Sequence, residues 1–170
     1  MTQIDQALEA NRTRGRFEAV PTGPRPARQL VIVTCMDTRL DPYKTLGLRA
    51  GEAHIIRNAG GVVTDDTLRS LVLSHQALGT RELMIIGHTD CGLLGLDERG
   101  LTDRLAQETG EQPAAPKTFH SFDDLSENVR RQLRTVREHP WLRALAARGF
   151  IYDVKTGAVS EVDAEARSTT

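Results

Sequence analysis

At 170 residues with 39% hydrophobic side chains, the chain has room for one domain with a sizeable core and too little for two. A formal net charge of -1 and only 4% aromatic residues argue against nucleic acid or an anionic membrane as partner. No apolar run nears the roughly 20 residues that span a bilayer, and the N-terminal MTQIDQALEANRTRGR lacks the apolar stretch of a secretory signal. A cytoplasmic protein is therefore expected, in which the two cysteines stay reduced and serve burial, catalysis or metal binding.

Residues 1–28 read as an arm: a weak helical stripe at Ile4 and Leu8, then PTGPRPAR at 21–28, which blocks regular structure. Such an arm packs on a neighbouring subunit or frays. Four apolar runs follow, Leu30–Thr34, Ala53–Arg57, Leu83–Gly87 and Phe150–Val154. The first and third are continuous rather than alternating, as in strands covered on both faces of a parallel sheet. Between them, Asp41 with Pro42 opens a short helix ending near Gly47. Thr64 caps a helix with the stripe Leu68, Leu71, Val72 and His75, closed by Gly79. Residues 92–120 show only a brief helical pattern near Leu101 and Leu105, followed by the EQPAAPKT loop.

Ser121 begins a longer helix through Leu125, Val129, Leu133 and Val136, stopped by His139-Pro140. Another short helix around Leu142 and Leu145 ends at Gly149, and Lys155-Thr156-Gly157 turns the chain into an edge strand, Ala158–Val162. The pattern predicts an α/β fold: an open, mostly parallel central sheet of four strands plus an edge strand, helices on both faces and an N-terminal helical arm. The α/β domain is placed at 29–162, and 163–170 is expected to be a disordered tail.

Cys35 directly follows the first core strand and His88 the third, with Cys91 in the turn HTDCG. Ligands of open α/β sheets bind outside the carboxyl ends of the strands, so two adjacent strand ends can bring these three together. Two sulfurs and one imidazole suit zinc, and three protein ligands leave the open position of a catalytic site. A Cys35–Cys91 redox pair lacks the C-x-x-C spacing. In C-M-D-T-R, Asp37 and Arg39 alternate with Cys35, and extended chain turns such positions to one side. A carboxylate there binds the metal or orients its water, and an arginine beside it fixes its direction.

These motifs resemble the β-class carbonic anhydrases, especially their short prokaryotic and archaeal-type branch. The resemblance is carried by CMDTRLDP at 35–42, GEAHIIRNAGGVVTDDTLRSL at 51–71 and LGTRELMIIGHTDCGL at 78–93, spans Leu30 to Leu96 and resumes weakly over Gly149–Gly157. It implies one zinc per chain on Cys35, His88 and Cys91, an Asp37/Arg39 catalytic dyad, and reversible hydration of carbon dioxide by zinc-bound hydroxide. In a closed state Asp37 would be the fourth ligand. His54 is expected near the pocket mouth, as a proton relay or a pocket-lining imidazole, and Arg57 to Gly61 near the site. The resemblance also implies a homodimer or larger homo-oligomer, with the arm wrapping its partner. The glutamine and large aromatics of plant-type relatives have no counterparts here. Alternatives on the same parts are hydrolysis of carbonyl sulfide or carbon disulfide, and a non-catalytic zinc module.

Overall fold

The computed structural model describes residues 2–13, 23–112 and 114–163. Five strands, β1 (Leu30–Cys35), β2 (Ala53–Asn58), β3 (Glu82–His88), β4 (Ala146–Tyr152) and β5 (Val159–Glu161), form one sheet in the order β2-β1-β3-β4-β5. The first four are parallel and β5 runs antiparallel to β4. The apolar run in β1 is buried because β2 and β3 flank it and side chains cover it above and below. Helices α1 (Gln3–Thr13), α2 (Pro42–Thr45), α3 (Asp65–Val72), α4 (Glu98–Thr109) and α5 (Leu125–Glu138) complete the fold. Asp41 caps α2 by accepting from Tyr43 and Lys44 N–H, and Thr64 caps α3 through Thr67 N–H.

The two sheet faces are covered unequally. On one, Val31, Val33, Leu83, Ile85 and Ala147 pack against Leu71 of α3, Leu133 and Val136 of α5, and Leu142 and Leu145. On the other, Ile32, Ala53 and Ile86 meet Leu46 and Leu48 beyond the four-residue α2, while Leu30, Met84, Phe150 and Tyr152 stay only partly buried. Helices on both faces therefore holds in name, with the second face thinly covered. Helix α1 buries none of its residues, and Ile4 is 73% exposed. Residues 14–22 of the expected arm and 164–170 of the expected tail lie outside the described residues.

Several boundaries differ from the sequence reading. The fourth strand begins at Ala146, earlier than the expected Phe150, and the helix expected around Leu142 and Leu145 shrinks to one turn over Pro140–Leu142. Gly149 is a strand residue rather than a helix stop. A Cβ there would lie 2.5 Å from Val129 Cγ1 and 2.9 Å from Leu133 Cδ1, so glycine lets α5 settle directly on β4. The long helix starts at Leu125 under an Asp124 cap, because Ser121 is held elsewhere. The Glu98 carboxylate accepts from Ser121 N–H at 2.6 Å, Phe119 N–H at 3.0 Å and the Thr118 hydroxyl at 2.9 Å. Helix α4 is longer than its brief pattern suggested; it buries no residue, so no strong stripe was required of it.

Candidate metal centre

Strand register assembles the site. Pairing of Thr34 with Ile86 sets the tips of β1 and β3 side by side, and the buried Thr34 hydroxyl donates to the Ile86 carbonyl at 2.9 Å. Cys35 ends β1, His88 ends β3, and the turn after β3 folds Cys91 back toward both. One ligand atom from each lies within 4.8 Å of the others, all three residues are buried, and no further Cys, His, Asp or Glu among the described residues joins the group.

The imidazole shows what this cluster is built for. His88 Nδ1–H donates to the Thr89 carbonyl at 2.9 Å, since a carbonyl can only accept, and this leaves Nε2 as a bare lone pair. Among the described residues, Nε2 is the only buried side-chain nitrogen or oxygen without a partner. A buried acceptor facing two sulfurs suits a soft divalent cation, with the tautomer already set by the outer hydrogen bond. The thiols are prepared as well. The contact with Cys91, then the backbone N–H groups of Asp37 and of Gly60, the latter at 3.3 Å, pull the Cys35 thiol below its usual range against the cost of burial. Sharing one proton with Cys35 pushes Cys91 up, so a metal would displace that proton.

Asp37 rests on Arg39. Arg39 Nε donates to Oδ1 at 3.0 Å, Nη2 to Oδ2 at 2.8 Å, and the Arg39 backbone N–H to Oδ1 at 2.9 Å. This fork holds the Asp37 carboxyl well below the ordinary carboxylate range. The RNAGG loop braces the same segment. Arg57 donates to the carbonyls of Cys35 at 3.0 Å and Asp37 at 2.7 Å, and Asn58 clamps Val62 through both of its side-chain polar atoms. Gly61 has φ +63, and a Cβ on it would sit 2.9 Å from Cys35 N, so the loop can lie against the ligand strand only with glycine there. Met36, Ala59, Gly60 and Leu93 then give a cavity of about 300 Å³ beside the cysteines a largely apolar lining.

His54 is not part of this arrangement. It sits near the start of β2, whereas the cluster is level with Asn58 at its end, about 13 Å along the strand at roughly 3.3 Å per residue. Its Nε2–H donates to the Pro24 carbonyl at 2.9 Å, and Nδ1 accepts from the Ser74 hydroxyl at 2.8 Å. The ring ties the segment before β1 to the π-helical turn after α3, away from the cluster. Sequence reasoning also passed over two contributors. Gln132, buried on α5, accepts from Val63 N–H at 2.8 Å behind the RNAGG loop, and nothing local distinguishes it from any helix glutamine. Asp90, between His88 and Cys91, bonds Arg39, and its place inside HTDCG was the available clue.

The family profile described as carbonic anhydrase matches residues 30–159. Beta-carbonic anhydrase 1 of Mycobacterium tuberculosis is 42% identical over 164 residues, covering 95% of this chain and 99% of that protein. The chain belongs to the β-carbonic anhydrase family. Carbonic anhydrases are lyases. A solved carbonic anhydrase from Streptococcus mutans superposes with a TM-score of 0.87 at 39% identity, over 96% of this chain and 99% of that one. A carbon disulfide hydrolase from Acidithiobacillus thiooxidans is 34% identical, covering 76% of this chain and 75% of that protein. Among the described residues, no helix of this β-carbonic anhydrase family member is long and apolar enough to cross a membrane.

Proposed function

We propose that the chain catalyses the reversible hydration of carbon dioxide to bicarbonate, with one zinc ion held by Cys35, His88 and Cys91. The observation that carries this reading is the unpartnered His88 Nε2 facing two buried thiols beside a carboxylate locked on an arginine. Zinc bound there supplies the Lewis acidity that activates water, tempered because two thiolates offset its charge. Asp37, kept ionised by Arg39, accepts a hydrogen bond from the attacking water and turns its lone pair toward carbon dioxide. Met36, Ala59 and Leu93 offer the apolar wall that a nonpolar gas requires. Gly60 N–H holds the Cys35 sulfur in place, and Arg57 holds the backbone on either side of Met36.

In a closed state, Asp37 would leave Arg39 and take the fourth zinc position, excluding water. The same reading makes the chain at least a homodimer. The half-covered sheet face and the helix α1 that buries nothing both call for a second copy, with the arm of residues 1–28 lying on it and 29–162 forming the enzyme domain. A cytoplasmic location keeps the thiol ligands reduced.

The test is stopped-flow hydration by the purified zinc-loaded protein, with metal analysis before and after chelation. One zinc per chain and hydration rising over roughly pH 7 to 9 are expected. A protein that holds zinc and hydrates nothing is instead a binding module. The similarity to the carbon disulfide hydrolase supports hydrolysis of carbon disulfide or carbonyl sulfide as the second reading, separated by rates on each gas side by side.

A further inference from the structure

Asp90 stands in the turn between the two ligands of β3's end, with φ +56, a left-handed conformation in a residue other than glycine. Turn geometry alone would favour glycine there. Its side chain has a different use. Asp90 Oδ2 accepts from Arg39 Nη1 at 2.6 Å, and its backbone carbonyl accepts from Arg39 Nη2 at 2.9 Å. Arg39 is therefore gripped at both ends of its guanidinium, by Asp37 on the β1 side and by Asp90 on the β3 side. A fork held by one carboxylate can swing together with it, whereas a fork held by two has its plane set. The turn that carries Asp90 also carries Cys91, so the grip ties the direction of the Asp37 oxygens to the metal-binding cluster.

We infer that Asp90 is a positioning residue: it anchors Arg39 from the ligand turn and so aims Asp37 at the water that attacks the substrate. The Asp90 side chain is 75% exposed and that of Arg39 42%, and exposed ion pairs add little to stability. The function is one of direction. It rests on the hydration reading.

The experiment compares zinc-loaded enzyme with its Asp90→Gly variant, which accepts the same φ, and Asp90→Asn, which keeps an oxygen acceptor. Asp90→Gly should lower kcat about tenfold while KM changes less than twofold, with zinc content and melting temperature unchanged. Asp90→Asn should recover most of the loss. In an Arg39→Gln background, Asp90→Gly should cost nothing further. Independently of activity, the Arg39 Nε–H resonance of the zinc-free protein should be sharp and slowly exchanging in the parent and in Asp90→Asn, and lost in Asp90→Gly. An Asp90→Gly variant with parental kcat and an intact Arg39 signal overturns the inference. So does one whose lost activity follows lost zinc or a lower melting temperature, which would make Asp90 an ordinary turn residue. If the parent enzyme hydrates nothing, the functional reading fails while the resonance still judges the anchor.

Discussion

The two ends of the parallel sheet are built to different specifications. At the carboxyl end, β1, β2 and β3 finish in Cys35, Asn58 and His88, and each tip is braced by a neighbour: Arg57 on the Cys35 carbonyl, Gly60 on the Cys35 sulfur, Val62 on the Asn58 side chain, the Thr89 carbonyl on His88. That bracing leaves one buried nitrogen unsatisfied. At the amino end the polar groups are closed on one another, as His54 links Pro24 and Ser74, and Ser74 meets the Thr80 hydroxyl at 3.0 Å. A buried polar group without a partner costs stability, so it marks the end reserved for a ligand. Strand β3 spans both regimes, with Leu83 in the finished core and His88 in the open site.

Substitutions along β3 can break that division. At the site end, His88→Ala is expected to abolish zinc binding and lower hydration by more than the roughly 100-fold that loss of an outer partner costs. Metal analysis and stopped-flow assay check it, and a variant retaining one zinc per chain would remove His88 from the cluster. At the core end, Leu83→Ala should cost about 2–5 kcal/mol in denaturant unfolding, by emptying a site that is 1% exposed. Its activity per folded molecule should match the parent. Equal loss of chemistry from both changes would erase the distinction between the ends.

Smaller effects sharpen the comparison. His54→Ala should lower stability by about 1–2 kcal/mol, because it removes the partner of the Pro24 carbonyl and one of the two partners of the Ser74 hydroxyl. Hydration rate and its dependence on buffer concentration should not change; rescue by added buffer would return His54 to the role of proton relay. The smallest effect belongs to Glu98, the first residue of α4, whose carboxylate holds the loop that leads into α5. Hydrogen bonds from Ser121 N–H first, then Phe119 N–H, hold its carboxyl down at about 2, below its ordinary value of 4.5. A depressed folded-state value means that its stabilisation is complete above about pH 4.5 and fades as pH falls toward 2. Melting of the chelated parent and Glu98→Gln should therefore differ near neutrality and converge across that window. A constant gap would show that the contact acts through shape rather than charge.

Much of this was legible in the residues. Continuous apolar runs gave β1 and β3 because strands buried on both faces have no polar side, and the Asp41 and Thr64 caps were readable because capping is local chemistry. Gly149 was misread as a helix stop, since glycine as punctuation and glycine as a seat for a helix look alike in sequence. The start of α5 slipped for a related reason: a distant carboxylate, Glu98, holds Ser121, and short-range signals do not record it.

By itself the sequence determined which side chains could build a metal site, because Cys35, His88 and Cys91 declare ligand chemistry, and Asp37 with Arg39 an oriented carboxylate, by type and spacing. Only the tertiary structure decided which end of the sheet each polar residue serves. His54 has the chemistry of a relay, yet strand direction carries it away from the cluster, and Asp90 enters the Arg39 grip only because the β1 and β3 tips lie side by side. Spacing along a chain sets local geometry, but which donor finds which acceptor across strands is set by register, and register forms only when the whole sheet does.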